Sequence, residues 1–195
     1  MVYCEANSEI MLYMDSTTHT IETLIPETEL IVIVATLAEQ IYSKYHNQEI
    51  VLVGVLDGSY VMISDLARAL SRLGMNKITV DFMGIDTYGT GTTSSKDPKI
   101  TKDLKHDIRD QIVIIVEDIV DTGYSLSVLQ ALLLARKPKK LETVALLSKD
   151  ARREIQVSVE YIGKHIPNEF VVGYGLDYDG KYYRELPYIG VVKFN

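Results

Sequence analysis

Three short runs in this sequence are apolar without alternation: IVLVGV at residues 50–55, QIVIIVE at 111–117 and TVALLS at 143–148. A strand with one face in water alternates apolar and polar residues, so such runs must be covered on both faces. Helical patterns lie between them. SYVMISDLARALSRLG carries apolar residues at Val61, Leu66, Ala67, Leu70 and Leu73, with Gly74 placed to end a helix. Pro26 followed by Glu27 and Glu29 opens a helix expected from Glu27 to Tyr45. A third is expected from about Ser125, stopping before Pro138 with Arg136 and Lys137 in its last turn. KITVDFM at 77–83 and EFVVGYG at 169–175 read as further strands. Strand–helix alternation of this kind specifies an α/β domain with a mostly parallel sheet flanked by helices. In such sheets ligands bind beyond the carboxyl ends of the strands.

The 195 residues fit one domain with a sizeable core, and neither repeat nor linker divides them. Residues 1–18 lack a basic segment followed by an apolar one, so they read as an extension and not as a secretory signal. No apolar run approaches the ~18 residues of a membrane span. A single cysteine, Cys4, excludes an internal disulfide and fits a reducing compartment, so the cytoplasm is the expected location. The net charge of −7 argues against general affinity for nucleic acid. It leaves room for small anionic substrates held by backbone amides or metal ions. His19, His46, His106 and His165 show no metal-ligand spacing. Residues 84–103, rich in Gly, Thr and Ser, interrupt the alternation and suit a functional lid, with a short hairpin around Ile100 as an alternative.

The stretch IIVEDIVDTGYSLS, residues 114–127, sets Glu117, Asp118 and Asp121 where a buried strand opens into a turn and then a helix. Three carboxylates so close repel one another unless a ligand compensates them. Thr122, Gly123, Tyr124 and Ser125 lead into the helix, where backbone N–H groups and the dipole favour an anion. Gly123 permits the tight turn, and the two hydroxyls add donors. Glu117 and Asp118 are acceptors suited to a sugar diol or a hydrated magnesium ion. For any one acid, strand-end solvation or helix capping is the ordinary explanation. The whole pattern instead suits a ligand bearing both ribose hydroxyls and a phosphate. It matches neither a Walker A loop nor a dinucleotide fingerprint, which argues against a dinucleotide-binding oxidoreductase.

This stretch resembles the phosphoribosyl pyrophosphate (PRPP) motif of the type I phosphoribosyltransferases. The chain from about His19 to Val192 is similar to their hypoxanthine–guanine branch, through VGVLDGSYVMISDL (53–66), DFMGIDTYG (81–89), ALLSKDARRE (145–154) and IPNEFVVGYGLDYDGKYYRELPYIGVV (166–192). The resemblance implies transfer of phosphoribosyl from PRPP to a 6-oxopurine, hypoxanthine or guanine, in purine salvage. It implies a core of about residues 27–176 and a small hood from about 19–26 and 177–195. It assigns the ribose hydroxyls to Glu117 and Asp118, the 5′-phosphate to Asp121 through Ser125, and the role of proton acceptor to Asp121. Gly58 and Ser59 would line the pyrophosphate loop with Leu56 and Asp57, and Arg184 would contact pyrophosphate. Lys149 would donate to the purine O6, Phe170 would stack on the ring, and Val171 would present backbone groups to its edge. Asp177 would line the purine site and share a magnesium ion with pyrophosphate; Glu117 and Asp118 are the other implied metal ligands. Thr87 and Tyr88 would begin the lid.

Two features depart from the family pattern. Asp57 stands where the family often has Lys or Arg, and one extra residue separates Asp177 from Arg184, leaving Gly180 to absorb it or Lys181 to substitute. The resemblance further implies a homodimer or homotetramer, with no membrane or nucleic-acid partner. The alternative from another class is a regulator on this fold that senses PRPP and binds nucleic acid. Such a protein would be expected to lose Asp121, Lys149 or Asp177, and all three are present.

Overall fold

The computed structural model describes residues 19–86 and 99–194, so Thr87, Tyr88 and the extension at 1–18 lie outside the described residues. The elements run β1 (His19–Ile25), α1 (Glu27–Tyr45), β2 (Ile50–Leu56), α2 (Tyr60–Arg72), β3 (Ile78–Asp86), β4 (Lys99–Lys102), β5 (Ile112–Val120), α3 (Tyr124–Leu134), β6 (Lys140–Ser148), β7 (Tyr161–His165), β8 (Val171–Val172) and β9 (Ile189–Phe194). Six strands form the central sheet in the order β4-β3-β2-β5-β6-β7. All its neighbours pair in parallel except β4, which runs antiparallel to β3 at one edge. The α/β class expected from the sequence is the one observed.

The uninterrupted apolar runs are explained by two cores, one on each face of the sheet. Ile50, Leu52, Ile112, Ile114 and Val116 pack with Leu30, Val34, Leu37 and Ile41 of α1 and Met62, Ile63, Leu66 and Leu70 of α2. The alternate residues Val51, Val53, Val113 and Ile115 face Leu126, Leu129 and Leu133 of α3. Each such side chain contributes about 1.5–3 kcal/mol by leaving water. Helix α2 ends as Gly74 predicts. The Met75 amide donates to the Leu70 carbonyl (3.1 Å) and that of Gly74 to Ser71 (3.0 Å), with Gly74 at φ 98°.

Several elements differ from the sequence reading, which assigned no strand to β1 or β9. Helix α3 stops at Leu134, so Arg136 and Lys137 lie beyond it, and their amides tighten the chain onto Leu133 and Leu134 carbonyls. Lys137 precedes Pro138 and leaves the helical region at φ 58°. The strand expected over 169–175 is reduced to Val171–Val172, because Gly173, Tyr174 and Gly175 all take positive φ. It does not join the parallel sheet but pairs antiparallel with β9 in a second sheet of order β1-β9-β8. Edge strand β7 went unseen, being short and only partly buried. The ends of the 84–103 segment do pair, Ile85 opposite Ile100, as the hairpin alternative required.

At the opposite end of β6 from the site, Glu142 is buried and accepts from Lys44 Nζ (2.6 Å), Lys140 Nζ (2.8 Å) and Tyr161 Oη (2.8 Å). Burial alone would raise its carboxyl, but these hydrogen bonds outweigh it and pull the group down to about 2. Glu142→Ala should cost about 2–4 kcal/mol at neutral pH by stranding Tyr161 and two cations; both lysines reach solvent, which keeps the value low. Because the folded carboxyl titrates below its ordinary 4.5, the stabilisation holds above that pH and fades as pH falls toward 2. Urea unfolding of both proteins at pH 7 and near pH 2 checks this: the gap should close in acid.

Candidate active site

Glu117 and Asp118 occupy the carboxyl end of β5, with Glu117 opposite Ala145 of β6. Parallel pairing on both sides of β5 aims this end out of the sheet, where the chain must turn. Glu117 is buried, and its Oε2 has no hydrogen-bond partner among the described residues. Burial and then the charge of Asp118 push its carboxyl well above the ordinary range. Asp118 accepts from the Ile119 amide at 2.8 Å. Burial, with a smaller push from Asp177, outweighs that amide and Arg184, so its carboxyl is raised to about 6. Two desolvated carboxyls with so few donors are a site awaiting hydroxyls or a cation.

The turn that follows is fixed from outside. Thr122 O accepts from the amides of Glu154 and Ile155, both at 3.0 Å. Gly123 takes φ 87°, and a Cβ there would lie 2.5 Å from Ile155 O. The Tyr124 amide reaches Thr122 Oγ1 at 3.3 Å, which leaves the Thr122 hydroxyl hydrogen to donate elsewhere. Ser125 is exposed in the first turn of α3.

Lys149 follows β6 directly, its amide bonded to Val120 O at 2.9 Å. Its side chain is buried and Nζ lies 3.7 Å from Asp121 Oδ2. Burial lowers its pKa, an effect that Asp121 opposes and Arg152 reinforces. Arg152 Nε stands 3.1 Å from Asp121 Oδ1 without the alignment of a hydrogen bond. Sequence reasoning missed Arg152. The signal was available in KDARRE, since one 3₁₀ turn over Asp150–Arg152 brings residues i and i+3 to the same side.

On the other flank, the Leu56–Asp57 peptide is cis and Gly58 abuts the acidic strand end. A Cβ on Gly58 would stand 1.6 Å from Asp118 Oδ2, and one on Gly175 (φ 103°) would stand 2.0 Å from Gly58 O. Three segments thus meet where side chains do not fit. Ser59 is fully buried; its amide serves the turn through Val55 O (3.2 Å), and its hydroxyl has no partner among the described residues. Arg184 places Nη2 2.6 Å from Asp177 Oδ1, donates from Nη1 to Gly175 O (2.6 Å), and stands 4.0 Å from Asp57 Oδ2. Between Asp177 and Arg184 the chain makes a turn closed by a Tyr178–Tyr182 bridge, with Asp179 and Gly180 at φ 56° and 69°. Lys181 Nζ lies 3.7 Å from Asp179 Oδ2.

Phe170 is about half exposed and meets Tyr178 edge-on at 5.9 Å. The Val192 amide donates to Phe170 O at 2.9 Å, which makes Val171 and Val191 a non-hydrogen-bonded pair. The N–H and C=O of Val171 therefore point off the free edge of the small sheet. Among the described residues no three carboxylates, imidazoles or thiols converge on a ready metal cage. Magnesium asks for less: one or two carboxylates, several waters and substrate oxygens. Asp118 and Asp177, close enough to repel, together with the unpartnered Glu117 Oε2, fit that requirement. A separate cavity of about 610 Å³ lies between α1 and α2 and touches only Arg184 of the candidate site residues.

Comparison with known proteins agrees with this geometry. The phosphoribosyl transferase domain model matches residues 22–179. The hypoxanthine phosphoribosyltransferase of Escherichia coli K12 is 47% identical over 176 residues, 89% of this chain and 96% of the relative. That of Haemophilus influenzae is 42% identical over 89% of this chain and 96% of the relative. The structure of a Staphylococcus aureus hypoxanthine phosphoribosyltransferase superimposes with a TM-score of 0.81 at 41% identity, covering 88% of this chain and 91% of that one. With this agreement of sequence and fold, the chain belongs to the phosphoribosyl transferase family, in its hypoxanthine phosphoribosyltransferase branch.

Proposed function

We propose that this chain is a purine-salvage enzyme that moves the 5-phosphoribosyl group of PRPP to N9 of hypoxanthine or guanine, giving IMP or GMP and pyrophosphate. The observation that carries the reading is the meeting of Asp118, Gly58, Asp177 and Arg184 on one side of the β5 turn, with Asp121 and Lys149 on the other. Glu117 and Asp118 accept the ribose 2′- and 3′-hydroxyls, which supply a donor to the buried, unpartnered Glu117 Oε2 and to the partly buried Asp118. The 5′-phosphate lies along Asp121 to Ser125, where hydroxyls and the start of α3 favour an anion. Phe170 stacks on the base, Val171 meets its edge through the backbone, and Lys149 donates to O6.

The C1–oxygen bond breaks with its electron pair leaving on pyrophosphate, while N9 supplies the pair for the new C1–N bond. The proton shed at the purine N7 passes to Asp121. Sugar cation character makes positioning of the base and stabilisation of the leaving group the main contributions. Arg184 and the turn at Gly58–Ser59 face the departing pyrophosphate. Magnesium held near Asp118, Asp177 and Glu117 would neutralise developing charge on that group. The family resemblance would assign Thr87 and Tyr88, outside the described residues, to a lid that excludes water from PRPP.

The catalytic unit is residues 19–195, with terminal strands as the hood, working in the cytoplasm as a homodimer or homotetramer; Ile31 and Val32, both 62% exposed on α1, offer an apolar contact. No helix among the described residues is long and apolar enough to cross a membrane. The nucleic-acid-binding regulator has no support from the relatives. The test is absorbance-monitored turnover with PRPP and magnesium, offering hypoxanthine, guanine, xanthine, adenine and uracil separately. Nucleotide should form from 6-oxopurines; turnover confined to adenine or uracil, or none at all, would refute the reading.

A further inference from the structure

The pyrophosphate end of the site is crowded with negative charge before any ligand enters. Asp57 and Asp177 flank Arg184, and Asp118 feels both Arg184 and Asp177. Arg184 is already engaged, by Asp177 and the Gly175 carbonyl at 2.6 Å each, with Asp57 at 4.0 Å. Asp177 is held by a second contact, the Gly180 amide, so it stays with the guanidinium. Asp57 is different: it is 75% exposed at the mouth of the site and has the longest of these contacts. The Gly58 beside it touches Asp118, and Tyr60 Oη donates to Arg184 O at 3.3 Å, so this turn and Arg184 form one unit.

We propose that Asp57 is a positioning residue that competes with pyrophosphate for Arg184. A phosphate oxygen approaching the guanidinium meets the field of the Asp57 carboxylate, 4.0 Å from Nη2. The competition weakens the hold on released pyrophosphate and makes that hold depend on an accompanying divalent cation. A cation bound to pyrophosphate cancels the repulsion from Asp57, whereas bare pyrophosphate must overcome it. This inference rests on the PRPP reading above and adds to it the identity of the group that sets product retention.

The experiment is inhibition of nucleotide synthesis by added pyrophosphate, competitive against PRPP, for wild type, Asp57→Asn and Asp57→Glu at two free magnesium concentrations. Asp57→Asn should lower the inhibition constant ~3- to 10-fold, the modest size expected for an exposed charge. The gain should be larger at low magnesium and shrink at high salt. Asp57→Glu should keep the wild-type value. A purely structural role would instead raise KM and the inhibition constant together in both variants. Should the Asn variant fail to fold, Asp57→Ser removes the same charge. An inhibition constant that is unchanged or raised in a folded, active, uncharged variant overturns the inference alone. Wild-type protein that neither makes nucleotide nor binds pyrophosphate overturns the PRPP reading and this inference with it.

Discussion

Asp121→Asn should fold normally, keep a KM for PRPP close to wild type, and turn over ~10²- to 10⁴-fold more slowly. The amide has the shape of the carboxylate and keeps one oxygen for Arg152, which stands 3.1 Å away, while its NH2 takes the longer, 3.7 Å position toward Lys149. What it lacks is basicity. The proton leaving the purine then has no acceptor, and the penalty falls on the chemical step and not on assembly of the complex. Steady-state kinetics with hypoxanthine and PRPP separate the two constants. Near-wild-type turnover would remove Asp121 from proton transfer. A KM for PRPP that rises in step with the loss of rate would make it a binding residue only.

Lys149→Met should cost roughly 10- to 150-fold in kcat/KM for hypoxanthine while leaving the KM for PRPP nearly unchanged. Lys149 is buried, and burial disfavours its charged form, so an apolar side chain of similar length fills the space without stranding a charge. The fold should therefore hold or gain slightly in stability. The lost interaction is the charged donor to O6, which only a 6-oxo base can use. Kinetics with hypoxanthine and with unsubstituted purine make the check specific: discrimination between them should collapse. If both bases lose rate equally, Lys149 acts through Asp121 and not through O6.

Much of this was legible in the sequence because it is local. Unbroken apolar runs announced strands buried on both faces, and Gly74 announced the end of α2. The adjacency of Glu117, Asp118, Asp121 and Gly123 announced a ligand turn, since such spacing has a physical meaning wherever it occurs. What local pattern does not encode is partnership across long separations. Asp57 and Arg184 meet because Gly175, at positive φ, lets its segment press against Gly58. Val171–Val172 joins the small sheet because three successive positive-φ residues turn the chain after it, and apolar composition cannot distinguish that from a core strand. Arg152 lay between. Its 3₁₀ spacing from Lys149 was visible, but its approach to Asp121 depends on β5 and β6 being neighbours.

The most direct measurement is a crystal structure of the protein with IMP. The 5′-phosphate should lie against residues 122–125, the ribose hydroxyls at Glu117 and Asp118, and the base on Phe170 with O6 toward Lys149. A nucleotide seated elsewhere, such as the cavity of about 610 Å³ between α1 and α2, would contradict the assignment of the acidic turn as the phosphoribosyl site.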